Sequence, residues 1–509
     1  MKNIYLIRQQ LILEGIRLQP KNGKLHYAGL QQRITLHVLQ RLKEYKDALI
    51  ELLEQPEFYP LSYGQQGLWS IYQLAPTSSA YHLAALYRLD GDLDVEVLRS
   101  AVQLLVDRHP ALRTRFVQQQ QELYQVVDGY QPAWFEVIDA AGWSDKMLQE
   151  QIQARHAQPY DLEVGPLFRT TLFRHGMTHA TLTVYMHHLV VDGWSISQLF
   201  NELFTLYGSS CSGALANLPL PQSSYGDYVR WQRQLLATEE ERLWGYWKEQ
   251  LPRELPVLQF PADRVRPAQQ SLSGISHPIQ IPPGLTAELR AMARREGCTL
   301  YTLLLAVYQL FLYRHTGQTT LLTGLPTAGR TRPEFSMVVG YFVSPVVLRT
   351  ECNDGMLFQE LLDQVKTALL GALKHQDYPF ARLVEQLNPP RDLSRSPVYQ
   401  SSFVLQQAHA ALRDSSSALS GTGLQITPLP LPLGAGQTDI ALELFDAETE
   451  LTGYFHGNSE ILSPETLVRI ADRFLVLLSS VVDDKHNAVD RSLAELPLLT
   501  AAERHQLLV

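Results

Sequence analysis

The most regular pattern in the chain lies near residue 185. Leu182, Val184 and Met186 alternate with Thr181, Thr183, Tyr185 and His187, which predicts a strand over Ala180–His188 with two distinct faces. A helical stripe follows at once. Ile196, Leu199, Phe200, Leu203, Phe204 and Tyr207 fall on one side of a helix over Trp194–Tyr207, with Ser195 as its cap, Gln198 as capping-box partner and Gly208 past its end. Similar spacing predicts helices over Asp94–Arg108, Tyr225–Gln250, Thr286–Glu296 and Leu300–Arg314, and strands over Leu321–Gly324 and Tyr341–Arg349. The proline-rich stretch Leu251–Pro267 reads as a linker between two lobes of comparable size. The pattern is that of an α/β protein, and no short-period repeat marks it as a solenoid.

The first 55 residues form a segment of different character. Ile4–Leu13 reads as a short helix, a Pro-Lys-Asn-Gly turn sits between strand candidates in Arg17–Leu25, and Leu36, Leu39, Leu42, Leu49 and Leu52 predict a helix over Leu36–Leu53. This small α/β module carries nine basic and five acidic residues, so its balance of +4 leaves −13 for the rest of a chain whose net charge is −9. A basic module beside an acidic body suits an acidic peptide partner, the alternative being a solvated helical cap.

Composition then excludes whole classes. At 509 residues, 45% apolar and 19% charged, the chain is too long for one compact unit and too apolar for disorder. Its negative charge disfavours nucleic acid and anionic membranes. Cys211, Cys298 and Cys352 offer neither a disulfide framework nor zinc spacing, which fits a reducing cytoplasm. Arg8 interrupts the opening apolar run, against a signal peptide, and the stretch Leu303–Tyr313 is too short to span a bilayer.

Candidate chemistry gathers where the strand meets the helix, in Met186-His187-His188-Leu189-Val190-Val191-Asp192-Gly193-Trp194-Ser195. A histidine there suits proton transfer, since its ordinary pKa near 6.5 leaves it mostly free base in the cytoplasm. Asp192 is placed to orient it or to pair with a cation, and Gly193, lacking a side chain, lets its amide approach a carbonyl oxygen. Two ordinary partly buried histidines beside a turn are the alternative. Metal binding is disfavoured, because adjacent strand residues face opposite ways and no third ligand is near.

HHLVVDG matches the HHxxxDG motif of the condensation domains of nonribosomal peptide synthetases, and six further stretches resemble that family in order. They are Ser62–Trp69, Arg108–Phe116, Tyr225–Gln232, Gly340–Ser344, His375–Phe380 and Arg391–Pro397, and together the resemblance covers residues 60 to about 485. It implies two chloramphenicol-acetyltransferase-like lobes, 60–250 and 268–485, in a V-shaped pseudo-dimer. A tunnel would admit two carrier proteins bearing thioesters on phosphopantetheine arms, with no tightly bound cofactor of the domain's own. Residues 1–55 resemble docking domains of the tubulysin-synthetase type, which receive the C-terminal tail of an upstream subunit. Residues 490–509 are similar to the linker leading into an adenylation domain, with a carrier beyond it.

The resemblance also implies roles. His188 would accept or hydrogen-bond the proton of an attacking amine with His187 beside it, Gly193 would stabilise the oxyanion, and Asp192 would form a structural ion pair with Arg330. Gly64, Gly67, Ser344 and Ser396 depart from the family's usual residues and suggest a subgroup taking an acyl or polyketide-type donor. His187 excludes the DxxxxD pattern of heterocyclisation domains. Ester-forming and epimerising relatives, and a catalytically silent carrier-recruiting module, are the rivals; silent relatives typically lose part of the motif, which is intact here.

Overall fold

A computed structural model describes residues 2–407, 419–431, 436–483 and 490–508. The chain groups into two compact units that do not follow chain order. The first holds residues 1–234 together with 330–342 and 409–431, and the second holds 235–329, 343–408 and 432–509. The helix Tyr225–Gln250 therefore begins in one unit and ends in the other. The proline-rich stretch 251–267 lies within the second unit, where Leu258 donates its amide to the Gln400 side chain (2.8 Å) and Asp263 donates its amide to the Ile461 carbonyl (2.8 Å).

The first unit is built on a five-stranded sheet in the order Gln425–Leu429, His82–Asp90, His179–His187, Phe168–Arg174, Trp134–Asp139. Only the last pair is parallel. The strand expected over Ala180–His188 runs over His179–His187, and all but its first residue are buried. Its polar face is covered as well: the His187 ring packs edge-on against Tyr72, His82 and Tyr160 at 5.8 to 6.5 Å between ring centres. Helices Val95–Arg108 and Gly193–Ser212 pack beside each other in the same unit.

The first 54 residues belong to this unit too. They comprise helix Lys2–Leu13, a hairpin of Arg17–Lys21 with Lys24–Ala28, and helices Leu36–Glu44 and Lys46–Glu54. The hairpin turn is Asn22-Gly23, both at positive φ, the conformation a two-residue hairpin requires. The single helix expected over Leu36–Leu53 is instead two, broken at Tyr45 (φ −103°, ψ 14°). The break lets Val38 and Leu42 from one helix and Leu49 and Leu53 from the other enter the same core with Ile7, Leu11, Ile16 and Leu18.

The second unit carries a six-stranded sheet in the order Gly274–Ile281, Leu451–Asn458, Ile440–Asp446, Ser401–Gln407, Thr320–Thr327, Ser344–Glu351. Leu300–Thr316, apolar nearly all round, is its central helix, with residues 302–313 buried. No helix among the described residues is long and apolar enough to cross a membrane.

Candidate functional site

The strand carrying His187 ends there, and the chain turns at once. The amide of His188 donates to the Tyr81 carbonyl (2.9 Å) and that of Val190 to the His187 carbonyl (3.1 Å). The next helix, Gly193–Ser212, has Asp192 as its N-cap: a carboxylate oxygen accepts the Ser195 amide at 2.8 Å. Ser195, expected as the cap, is inside the first turn, and Gly208, expected beyond the end, is a buried residue within the helix. The helix terminates at Gly213, in the left-handed region at φ 74°, where glycine carries no steric penalty.

His188 and His187 sit in different surroundings. The half-buried His188 donates from Nδ1 to the Val191 carbonyl at 2.8 Å. A carbonyl only accepts, so Nδ1 holds the proton and the neutral ring's lone pair is on Nε2. Burial pushes the His188 pKa down, opposed by the Val191 carbonyl and Asp192, so the neutral base dominates at neutral pH. The Tyr341 ring stands edge-on to the imidazole, 5.0 Å between centres. His187 is buried, and its Nδ1 accepts the Leu189 amide at 3.1 Å. Burial first, then the neighbouring His82 and His188, depress its pKa to about 3. His187 thus stays neutral and braces the turn from the sheet side.

Asp192 is 1% exposed and receives four donors. Arg330 Nη1 and Nη2 reach its two oxygens at 2.7 and 3.1 Å, beside the Ser195 amide and the Phe342 amide at 3.0 Å. The guanidinium also donates to Ser195 Oγ (2.8 Å) and the Val338 carbonyl (3.1 Å), and lies 4.1 Å over the Phe342 ring. Ser195 Oγ accepts the Gly340 amide and donates to the Gly340 carbonyl, both 3.1 Å. Trp194 Nε1 and Gln198 Nε2 hold the carbonyls of Ser336 (3.0 Å) and Met337 (2.7 Å). The segment 330–342 is thus clamped along the start of the helix, which is what brings Tyr341 to His188.

Other motif stretches converge on the same turn. Ser62 and Gln65 form a capping box at the helix Tyr63–Leu74, and Gln65 Nε2 donates to the Leu189 carbonyl at 3.0 Å. Tyr225 hydrogen-bonds Ser62 Oγ (2.9 Å) and donates to the Tyr341 carbonyl (2.6 Å). Arg108 and His109 contact Glu202, on the helix that starts at Gly193. The stretches His375–Phe380 and Arg391–Pro397 belong to the second unit. Sequence reasoning singled out neither Tyr341 as the aromatic neighbour of His188, nor Ser195 as the pivot of the clamp, nor Glu202. The signal for Glu202 was that it is the only charged residue of helix Gly193–Ser212.

Gly193 is exposed at the first position of the helix, where the leading amides have no intrahelical acceptor and the helix dipole favours developing negative charge. An α/β scaffold thus presents an imidazole with its basic nitrogen defined, one turn from a helix N-terminus. Among the described residues no group of three or more His, Cys, Asp or Glu is placed to hold a metal ion.

The chain belongs to the condensation-domain family, whose model matches residues 55–508. Over 461 residues it is 33% identical to tyrocidine synthase 3 of Brevibacillus parabrevis, a match covering 90% of this chain and 7% of that relative. The chain thus spans a small fraction of the length of that relative. Among solved structures, a holo four-domain nonribosomal peptide synthetase bound to AMP and glycine superposes with a TM-score of 0.80 at 23% identity, over 88% of this chain and 35% of the other. The X-domain from teicoplanin biosynthesis superposes with a TM-score of 0.77 at 25% identity, over 88% and 100%.

Proposed function

We propose that the domain forms an amide bond between an upstream carrier-bound acyl or peptidyl thioester and a downstream carrier-bound aminoacyl thioester. The acceptor nitrogen attacks the donor carbonyl, a C–N bond forms and the C–S bond breaks. The proton shed by the nitrogen passes through His188 Nε2 to the departing pantetheine sulfur, which leaves as a thiol. The observation that carries this reading is the hydrogen bond from His188 Nδ1 to the Val191 carbonyl, which leaves Nε2 as the basic atom. The Gly193 amide is the proposed oxyanion donor. His187, Asp192 and Arg330 hold the turn in place.

The phosphopantetheine arms arrive on the carriers and act as tethers. Confining two tethered reactants contributes through proximity, which for well-oriented groups reaches about 7–11 kcal/mol. The downstream partners are an adenylation and a carrier domain, with 490–509 as the linker; 60–250 and 268–485 are the proposed acetyltransferase-like halves in chain order, with 330–342 and 425–429 returning to the first unit.

Intact-protein mass spectrometry of two loaded carriers mixed with the chain tests the reading. Mass should move from one carrier to the other, and His188→Ala should slow the transfer by roughly 10²- to 10⁴-fold. An unchanged rate in that variant overturns the role of His188. A second reading, a silent recruiting module, draws on the likeness to the X-domain solved in complex with OxyB, and it predicts no mass transfer in the wild type either.

Residues 1–55 are the proposed docking domain for the tail of an upstream subunit. Their basic balance and the position of residues 1–54 outside the matched family region support this. A donor carrier fused to an acidic tail should show a lower KM than the same carrier without it, and raised ionic strength should erase the difference. Equal KM values at low salt would count against docking.

A further inference from the structure

Residues of the N-terminal 54 hold the far end of helix Gly193–Ser212 directly and reach its middle through Arg108. Glu202, 1% exposed, lies in the interior of that helix. It accepts hydrogen bonds from Arg108 Nε (2.6 Å), His109 Nε2 (2.7 Å) and Gln198 Nε2 (3.0 Å). Burial pushes its carboxyl pKa up, but His109 and Arg108 outweigh burial and hold it at about 2. Arg108, 2% exposed, donates from Nη1 to Gln9 Oε1 (3.2 Å), and Gln9, fully buried, donates back to the Arg108 carbonyl (3.0 Å). On the other side of Glu202, Gln198 continues to the Met337 carbonyl at 2.7 Å. One unbroken hydrogen-bonded run therefore joins Gln9, Arg108, Glu202, Gln198 and the segment 330–342 that clamps Asp192.

The far end of the same helix is held separately. Arg33, 7% exposed, donates to the carbonyls of Ser209 (2.5 Å) and Ala214, and to that of Glu14 at 3.3 Å. A cation there satisfies carbonyls that the helix leaves without partners and matches the negative end of its dipole. The Ala216 amide donates to the Leu13 carbonyl at 3.2 Å. Arg8 pairs with Asp107 at 3.4 Å, each 3% exposed, so detaching the N-terminal residues would strand a buried carboxylate and take from Arg108 its two hydrogen bonds with Gln9. Packing of this kind belongs to a fixed part of the unit.

We infer that residues 2–54 act on the reaction as well as on partner capture: Gln9 and Arg33 are positioning residues that set the helix Gly193–Ser212, and through it the turn bearing His188. The inference rests on the reading of His188 given above. A pure docking module predicts changes in donor KM alone; the buried run predicts changes in kcat even when the donor carries no tail.

The test uses the full chain with tail-less donor carrier, comparing wild type, Gln9→Met, Arg33→Met and Arg33→Lys. Both Met variants should lose about 2- to 30-fold in kcat, the range found for residues coupled to a site they do not touch, with KM for the donor unchanged and Arg33→Lys partly restored. Ring-nitrogen NMR of the same proteins, labelled in histidine, should show a shifted His188 signal in the Met variants. Unchanged kcat together with an unchanged His188 signal overturns the inference, as does a KM increase at constant kcat. If wild type transfers no acyl group, the functional reading fails, and the His188 signal alone still decides whether the N-terminal residues set the ring.

Discussion

Replacing Arg330 by methionine removes the cation from the centre of the clamp while nearly keeping its volume. Asp192, 1% exposed, would then keep only the amides of Ser195 and Phe342 as partners for its carboxylate. Ser195 Oγ and the Val338 carbonyl would each lose a donor. Breaking a buried ion pair from one side costs about 3–5 kcal/mol. At about 1.4 kcal/mol per decade, the segment 330–342 should open roughly 10²- to several 10³-fold more often. Hydrogen exchange read by mass spectrometry reports this directly, because the amides of Gly340 and Phe342 are held by Ser195 and Asp192 side chains. Peptides spanning 338–343 should lose protection by that factor, and kcat should fall with it, since the same opening withdraws Tyr341 from His188. Adding Asp192→Asn removes the stranded charge, so the double variant should lose less than the two single losses combined. Protection in Arg330→Met within threefold of wild type would refute the view that this pair holds the site together.

Two further outcomes follow from packing and burial. Burial lowers the pKa of His82, takes His156 to about 4 and takes His187 to about 3, all below the ordinary 6.5. Between those values the unfolded chain binds more protons, so stability is full above about pH 6.5 and declines as pH falls toward 4. Melting temperatures between pH 7.5 and 5.5 should decline with pH and decline less in His156→Phe; a flat profile in wild type would contradict the burial of this cluster. A Cβ at Gly340 would collide with the ring of Tyr225, whose hydroxyl is committed to Ser62 and the Tyr341 carbonyl. Gly340→Ala should therefore cost about 1–3 kcal/mol of stability, seen as a lower melting temperature, and should reduce transfer as well. A fully stable and active variant would show that the ring has room to retreat.

The strand, the turn and the helix around His188 were legible because each is written in local spacing. What escaped was written over distance. Asp192 and Arg330 are 138 residues apart, and only the family resemblance pointed from one to the other. The helix cap moved from Ser195 to Asp192 because Ser195 Oγ is occupied by Gly340 and Arg330, contacts no local pattern encodes. Alternation separated the face of Thr183 and His187 from that of Val184 and Met186, but not the rings of Tyr72, His82 and Tyr160 that cover His187. The N-terminal module read as an appendage because its periodicity shows an apolar stripe, while the polar residues that fasten it, Gln9 and Arg33, look like surface.

Residues 330–342 come late in the chain yet belong to the first unit, and so does strand Gln425–Leu429, which pairs with His82–Asp90. Anyone splicing two synthetases at the proline-rich stretch would leave one parent's histidine turn to be latched by the other parent's arginine, and one parent's sheet to be finished by a foreign edge. Productive hybrids should be those that transplant both returning threads with the half they complete.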